Sequence, residues 1–222
     1  MTLALLPTRE AAGRLLAPRL LNHRGRDVVV LALPRGGVPV AAEIAKALDA
    51  PLDLLLVRKI GLPWQPELAY AAVVDGTPPQ VVINEEVARL DPMSDEQLES
   101  ATRDEIAEIE RRRAVYMAGR APVNVTGREV IVVDDGLATG TTARAALKGL
   151  RRLKPSRLVL AVPIAPAETL ARLAPLVDEL VYLDAPEPFR AIGEHYADFH
   201  QLEDEEVLGI LRGADGMGQG DE

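Results

Sequence analysis

The stretch VIVVDDGLATGTT, residues 130–142, is the most informative segment of the sequence. Val130 to Val133 is apolar, rich in β-branched residues and too short for a helix, which predicts a buried strand. Asp134 and Asp135 follow it, and such a carboxylate pair is costly unless solvent, a cation or hydrogen-bond donors reach it. Small residues and hydroxyls occupy 136–142, and 143–153 has helical periodicity. The predicted layout is strand, acidic pair, small-residue loop and helix N-terminus.

The composition is that of an acidic protein with one sizeable core. The chain has 222 residues, 48% of them hydrophobic, and a formal net charge of −9, which argues against a nonspecific nucleic-acid binder. The absence of cysteine excludes disulfides and thiolate nucleophiles and is compatible with a cytoplasmic location. No apolar run reaches the roughly 18–20 residues of a membrane span, and the first residues do not form a signal peptide. We therefore expect a soluble protein with neither membrane nor nucleic-acid partners.

Apolar strands alternate with helical segments along most of the chain. The pattern predicts strands at 27–33, 52–57, 130–133, 157–162 and 179–183, helices at 8–21, 38–48, 143–153, 166–173 and 203–211, and a hairpin from 69–74 to 80–84. The segment 60–67 contains two prolines and the only tryptophan, which predicts a loop. Strands and helices in this order imply an α/β fold with a doubly wound, mostly parallel sheet.

The segment 84–119 interrupts this alternation within what we expect to be a single domain, 1–222. It is charge-rich and helical, with Ser94 placed as an N-cap and a narrow apolar stripe of Leu98, Ile106 and Ile109. The narrow stripe predicts a helical insertion packed on the edge of the fold or on a partner chain, so a homodimer is one arrangement that it allows. Residues 212–222 are expected to form a flexible tail.

Three predicted strands end in turns that carry chemistry: PRGG at 34–37, the pair Arg58-Lys59, and the loop at 134–142. Each has an ordinary structural explanation alone, because Gly-rich turns are common and an Arg-Lys pair is usually solvated surface. In doubly wound sheets, however, ligands bind beyond the carboxyl ends of the strands. Three such turns at one sheet edge predict an anion site, with a helix N-terminus behind the glycines.

Several phosphate-binding patterns do not match. A P-loop needs lysine after its last glycine, but Thr141 follows Gly140, and Leu137 breaks the dinucleotide-binding glycine pattern. A phosphatase of the haloacid-dehalogenase type would need Asp-x-Asp, but position 136 is glycine. A receiver domain also has an acidic cluster, but its phosphoacceptor does not open a phosphate-binding loop.

The segment VIVVDDGLATGTT instead resembles the 5-phosphoribosyl-1-pyrophosphate (PRPP) motif of type I phosphoribosyltransferases. LALPRGGVPVAAEIA is similar to their pyrophosphate loop, and VRKIGLPWQPE to the start of their mobile active-site loop. The resemblance covers about residues 26–67 and 128–185 and implies their fold, with the insertion at 84–119 as a departure and a small C-terminal hood at 184–211. It implies transfer of phosphoribose from PRPP to a nitrogen of a small acceptor, such as a nucleobase, with release of pyrophosphate and Mg²⁺ as the cofactor.

The resemblance also implies a role for each site residue. Asp134 and Asp135 would bind the ribose hydroxyls and stabilise an oxocarbenium-like state, close to Mg²⁺ carried mainly by PRPP. Arg58 and Lys59 would neutralise the leaving group. The loop formed by Ala138, Thr139, Gly140, Thr141 and Thr142 would hold the 5′-phosphate, and backbone donors of Arg35, Gly36 and Gly37 would hold pyrophosphate.

The acceptor is the least determined part of this interpretation. Phe189 or Tyr196 could stack on a base, although an ordinary hydrophobic core of the hood is equally consistent, and the spacing of His195 and His200 argues against a metal site. Hypoxanthine-guanine phosphoribosyltransferases carry an aspartate at the position of Ala138, which implies that hypoxanthine and guanine are poor acceptors here and leaves open whether the acceptor is adenine or none of the three. A second hypothesis is a regulatory protein that senses PRPP or a nucleotide in the same pocket, but the intact PRGG and Arg-Lys elements favour an enzyme.

Overall fold

The computed structural model describes residues 5–118 and 122–215, which form two sheets with helices packed around them. The strands are β1 Val28–Ala32, β2 Leu52–Leu54, β3 Val57–Leu62, β4 Gln65–Val74, β5 Gln80–Ile83, β6 Glu129–Val133, β7 Arg157–Ile164 and β8 Glu179–Asp184. The helices are α1 Arg9–Leu16, α2 Gly37–Leu48, α3 Glu85–Leu90, α4 Asp95–Tyr116, α5 Thr141–Arg152, α6 Ala167–Leu173 and α7 Asp204–Asp215. Short 3₁₀ segments occupy Ala17–His23, Ala174–Leu176 and Ile192–His195.

The larger sheet is fully parallel and has the strand order β2-β1-β6-β7-β8. Alternate residues of its central strands enter two separate cores, so that Val28 and Val30 pack with α1, α2 and α7, whereas Val29 and Leu31 pack with α5 and α6. Helices on both faces explain why these strands are apolar throughout. The prediction of a doubly wound, mostly parallel sheet is confirmed.

The strand order reverses between β1 and β6. From β1 the chain turns through α2 to β2 on one side, while β6 pairs with β1 on the other side, in register from Val28–Glu129 to Ala32–Val133. The turn at 34–37 and the loop at 134–142 therefore follow the carboxyl ends of two neighbouring strands, β1 and β6, at the point where the strand order reverses. This is the position where open α/β sheets bind ligands.

A second, antiparallel sheet has the order β3-β4-β5 and corrects two predictions. The predicted strand 52–57 is divided, because β2 ends at Leu54 and the chain enters the second sheet at Val57. The predicted loop 60–67 is wrong: these residues form the end of a hairpin whose tip is Pro63-Trp64. Prolines are tolerated there because β4 pairs with β5 only from Ala71 onward, and Gly61 leaves room for the Pro66 carbonyl, which a β-carbon would overlap.

The charge-rich segment forms α3 and α4, as expected from its sequence. Ser94 caps α4 through a reciprocal capping box with Gln97. The apolar stripe of α4 packs on the small sheet, with Ile109 in the same hydrophobic cluster as Ile60. Arg113 of α4 is buried and donates to Asp53 at 2.5 Å and to Asp75 at 2.9 Å, which fastens the insertion to β2 of the parallel sheet and to the turn after β4.

The two ends of the chain differ in detail from the prediction. Thr8 caps α1 as the sequence suggests, but the helix ends at Leu16 and continues as a 3₁₀ segment. Helix α7 runs to Asp215, so residues 212–215 of the predicted tail are helical. The rest of that tail, 216–222, lies outside the described residues, and so does residue 119, where the insertion was predicted to end. In the part of the chain that the structure describes, no helix is long and apolar enough to cross a membrane.

Candidate active site

The loop after β6 presents a row of free backbone donors. Among the described residues, no acceptor contacts the N–H groups from Ala138 to Thr142, while the flanking N–H groups of Leu137 and Arg144 are bound by the carbonyls of Ile164 and Gly140. The Oγ1 atoms of Thr139 and Thr141 lie 3.2 Å apart. Successive free N–H groups that lead into a helix N-terminus attract an anion, and here the helix is α5. The predicted phosphate residues are therefore together in one cradle.

Helix α6 holds this loop from behind. Thr169, which is buried, donates from Oγ1 to the Ala138 carbonyl at 2.7 Å. Gly140 has φ +69°, and a β-carbon there would meet Thr169 Cγ2 at 2.8 Å and Leu173 Cδ1 at 3.1 Å. The glycine is therefore required by the left-handed backbone and by close packing on α6.

The turn after β1 packs directly on the acidic pair. A β-carbon at Gly36 would overlap the Asp135 carboxylate, and one at Gly37 would lie 2.6 Å from the Val133 carbonyl. The Pro34–Arg35 peptide is cis. The N–H groups of Arg35 and Gly36 have no acceptor within the described chain, but that of Gly37 donates to Leu33. Two of the three predicted backbone donors are therefore free, and Gly37 is not.

Asp135 is bound by an arginine that the sequence analysis missed. Arg9 Nε donates to Asp135 Oδ2 at 2.7 Å, and the two side chains are only 8% and 10% exposed. Arg9 also donates from Nη1 to the His200 carbonyl at 3.0 Å, and its guanidinium lies 3.9 Å from the centre of the Phe199 ring. Burial raises the pKa of Asp135, and Arg9 opposes that rise. The pair connects the first helix, the loop after β6 and the C-terminal segment.

Asp134 is the member of the acidic pair whose side chain no cation binds among the described residues. It is half-buried, and its Oδ1 accepts a hydrogen bond from the Asp135 N–H at 2.9 Å. Burial, followed by the neighbouring charge of Asp135, raises the pKa of Asp134 well above its ordinary value. The folded protein therefore holds this carboxylate at a cost, which is typical of functional groups.

Arg58 and Lys59 point in opposite directions, contrary to the shared role predicted for them. They are adjacent in β3, and successive strand residues face opposite sides of a sheet. Arg58 Nε forms an ion pair with Glu105 of α4 at 2.7 Å. Lys59 is exposed and lines an open cleft together with Thr141 and Thr142 of α5. Only Lys59 therefore lies on the side of the loop at 138–142.

The two aromatic candidates of the hood also have different surroundings. Tyr196 is buried, donates from its hydroxyl to the Asp135 carbonyl at 2.7 Å, and keeps its proton because burial raises its pKa. Phe189 is half-buried and stacks on His195, with ring centroids 5.1 Å apart. Ile192, between them, lies over the turn after Asp135, because a β-carbon at Gly136 would meet its Cγ2 at 2.7 Å. The hood therefore covers the acidic pair, with Tyr196 as a support and Phe189 as the available ring.

Other polar groups of the site have structural partners. Arg35 donates to the Leu202 carbonyl at 2.7 Å, so its side chain is directed to the C-terminal segment. His200 is exposed between Asp198 and Glu206, both at 2.9 Å, and hydrogen bonds with these carboxylates raise its pKa. Within the described ranges, no group of three or more histidine and acidic side chains is arranged to hold a metal ion.

Comparisons with known proteins agree with this geometry. The family model for the phosphoribosyl transferase domain matches residues 3–181. A putative phosphoribosyl transferase, Rv0571c of Mycobacterium tuberculosis, is 45% identical over 207 residues, which is 93% of this chain and 46% of that protein. The chain thus spans about half the length of such curated relatives.

A solved structure and a shorter match add to the comparison. The crystal structure of TT1426 from Thermus thermophilus is 38% identical with a TM-score of 0.80, and the alignment covers 94% of this chain and 98% of that one. The bifunctional protein PyrR of Thermus aquaticus is 48% identical over 61 residues, 27% of this chain and 33% of PyrR. From the extent of the family match, together with the cradle and the turn at the strand reversal, the chain belongs to the phosphoribosyl transferase domain family.

Proposed function

We propose that this protein transfers the 5-phosphoribosyl group from PRPP to a nitrogen of a small acceptor, such as a nucleobase, and releases pyrophosphate. The observation that carries the proposal is the contact between the Gly36 turn and the Asp135 carboxylate at the strand reversal. It brings the turn that carries the N–H groups of Arg35 and Gly36 against the acidic pair, and the cradle follows that pair directly in the chain. A 5′-phosphate on the cradle and a pyrophosphate on the turn would place a ribose over the carboxylates.

The cradle and Asp134 act on the phosphoribosyl group. The free N–H groups from Ala138 to Thr142, with the hydroxyls of Thr139 and Thr141, bind the 5′-phosphate. Asp134 accepts hydrogen bonds from the ribose hydroxyls, and its charge favours the cationic ring that develops as the bond at C1 breaks. We assign Asp135, with Arg9 and Tyr196, to holding the loop, because its carboxylate is buried against Gly36.

The leaving group is bound by the other turn. The N–H groups of Arg35 and Gly36 are available to pyrophosphate oxygens. Of the adjacent cations Arg58 and Lys59, Lys59 is the one available to the phosphates, because Arg58 is bound to Glu105. Mg²⁺ would reach the site on PRPP, because it usually keeps several waters and binds through one or two carboxylates and substrate phosphates. Bound there, it would neutralise charge on the leaving pyrophosphate.

The acceptor would lie under the hood, next to Phe189. Position 138 is alanine, which cannot exchange a proton with a purine, so the site lacks the acid–base group of hypoxanthine-guanine enzymes at that point.

The proposal also includes a cytoplasmic location and leaves a homodimer to be tested. A solution mass measurement on the purified chain, with and without PRPP, addresses the second point.

The alternative is a regulatory protein that binds PRPP or a nucleotide in the same pocket without turnover. Two observations favour it: the partial similarity to PyrR, which is named bifunctional, and the ion pair that removes Arg58 from the phosphates. Both hypotheses require PRPP to bind, and only the enzyme requires pyrophosphate to be released.

One experiment separates the two hypotheses. The full chain is incubated with PRPP, Mg²⁺ and each member of a panel of purine and pyrimidine bases, and pyrophosphate release is measured beside PRPP binding by calorimetry. The enzyme proposal expects release that needs a base and is lost in Asp134→Asn, while Asp27→Asn on the exposed surface is unaffected. PRPP binding without release for any base supports the sensor, and no PRPP binding contradicts both.

A further inference from the structure

Helix α5, which begins at the phosphate cradle, carries four cationic side chains and no acidic one: Arg144, Lys148, Arg151 and Arg152. Of the two at the end of the helix, Arg151 forms an ion pair with Asp178 at 3.0 Å. Arg152 donates to the Val81 carbonyl. Cations are also favourable at a helix C-terminus, where the dipole is negative. The fold therefore accounts for the second pair of cations but not for Arg144 and Lys148.

Arg144 and Lys148 have neither of these advantages. Arg144 is exposed and is the fourth residue of the helix, close to the positive end of the dipole, where a cation is unfavourable. Two like charges one turn apart also repel each other. Among the described residues, neither side chain has an ion pair or a hydrogen bond. Two charges that weaken the helix and have no partner in the fold point to a role in handling an anion.

The open cleft between the small sheet and α5 leads from these cations to the cradle. One wall consists of Lys148, Arg144 and the cradle residues Thr141 and Thr142, and Lys59 of β3 lines the other. Side chains of a helix lean toward its N-terminus, so those of Arg144 and Lys148 extend toward the cradle. The described lining contains no acidic residue, although the sequence has 34 acidic against 25 basic residues. The cleft is therefore a positively charged approach to the PRPP site and forms part of that site.

Arg144 and Lys148 lie at distances from the cradle over which a charge acts without contact. At about 1.5 Å per residue, they are about 4.5 Å and about 10 Å beyond Thr141 along the helix axis. The Debye length is about 8 Å at physiological ionic strength and about 30 Å at 0.01 M. Both charges therefore act on an anion that approaches the cradle, and they act most strongly in dilute salt.

From these features we propose that Arg144 and Lys148 guide PRPP into the site by raising its rate of association. PRPP carries a monophosphate and a pyrophosphate, so a protein with a net charge of −9 repels it as a whole. A positive cleft within that field concentrates the anion locally and can raise association rates by about 10- to 1000-fold. The two side chains act during the approach and do not contact PRPP once it is bound. The inference rests on the proposed function, because it takes PRPP as the ligand.

The test compares Arg144→Gln/Lys148→Met with the parent chain and with Arg24→Gln/Lys46→Met. The second double variant is the control, since it removes the same two charges near the amino ends of β1 and β2, away from the site. Calorimetry with Mg²⁺ present gives Kd for PRPP, phosphorus NMR exchange measurements give the dissociation rate constant, and the ratio of that constant to Kd is the association rate constant. In about 10 mM salt, association should slow about tenfold or more in the cleft variant, with dissociation within about twofold of the parent. In about 0.5 M salt the difference should nearly vanish, because the Debye length is then about 4 Å.

Several results would overturn the guiding role. These are an unchanged association rate in the cleft variant, an equal loss in the control, and a loss that persists undiminished in about 0.5 M salt. Faster dissociation with an unchanged association rate would also overturn it, because the two side chains would then contact bound PRPP. Each of these results requires PRPP to bind and leaves the proposed function standing. Failure of the parent chain to bind PRPP would contradict the proposed function and this inference with it.

Discussion

Replacing Arg9 by methionine should destabilise the protein and impair its activity. The change keeps a long side chain but removes the cation from a buried pair, because Arg9 and Asp135 are 8% and 10% exposed and bonded at 2.7 Å. Removal of one partner of a buried ion pair costs about 3–5 kcal/mol, since the other charge stays buried without compensation. Domains of this size lose about 2–4 °C in Tm per kcal/mol, so we expect Tm to fall by about 6–20 °C.

The loss of stability in Arg9→Met should also depend on pH. Burial already raises the pKa of Asp135, and loss of Arg9 should raise it further. A carboxyl whose folded-state pKa is raised contributes stability below the unfolded value, and that contribution is lost as the pH rises through the folded value. The deficit of Arg9→Met should therefore be largest at neutral pH and smallest in acid. Urea unfolding at several pH values measures it.

Two further variants test the reasoning about Arg9. Arg14→Met, on the same helix, breaks an exposed pair with Glu43 and should cost no more than about 1 kcal/mol. The double variant Arg9→Met/Asp135→Asn should recover much of the loss, because no buried charge remains. If Arg9→Met unfolds within about 1 kcal/mol of the parent, or if the double variant recovers nothing, the buried pair does not hold this loop.

Four other predictions follow from the site. Asp134→Asn should raise Tm at neutral pH while abolishing turnover, because it removes a carboxylate whose pKa is raised by burial; an unchanged or lower Tm would contradict this assignment. Gly140→Ala should weaken both stability and PRPP binding, because φ is +69° and Thr169 packs against it; normal unfolding and affinity would show that the cradle does not need this backbone. Trp64, 64% exposed at the hairpin tip, should change its emission when PRPP, Mg²⁺ and acceptor are saturating, if the hairpin closes over the site; unaltered emission and quenching count against closure. Hypoxanthine and guanine should be poor acceptors because position 138 is alanine, and a kcat/KM for hypoxanthine above about 10⁴ M⁻¹s⁻¹ would make that interpretation wrong.

The sequence predicted the parts of the fold that depend on local pattern. One contiguous motif contains strand β6, the loop at 134–142 and the start of α5, so their order can be read from the sequence. Because β6 pairs with β1 in a parallel sheet, the loop then lies next to the PRGG turn that follows β1. The hairpin at 57–74 was missed because Pro63 and Pro66 indicate a loop. Its strands are held by pairing with each other and by packing on α4, which no local window contains.

The partners of the site residues depend on distant contacts and were not predicted. Arg9 is separated from Asp135 by 126 positions, and Thr169 from Ala138 by 31. Nothing in the segment around Arg9 distinguishes it from the other arginines of the chain. The sequence could therefore indicate that two carboxylates follow a strand, but only the fold shows that, among the described residues, Asp135 is paired with a cation and Asp134 is not.

The measurement that tests the central claim most directly is calorimetric titration of PRPP with Mg²⁺ into the parent chain, Asp134→Asn and the surface control Asp27→Asn. We predict one PRPP per chain for the parent and the control. Affinity in Asp134→Asn should be about 10- to 150-fold weaker, which corresponds to the loss of a charge-assisted hydrogen bond worth about 1.5–3 kcal/mol. No binding to the parent, or equal affinity in all three proteins, would contradict the assignment of the junction between Gly36 and Asp135 as the PRPP site.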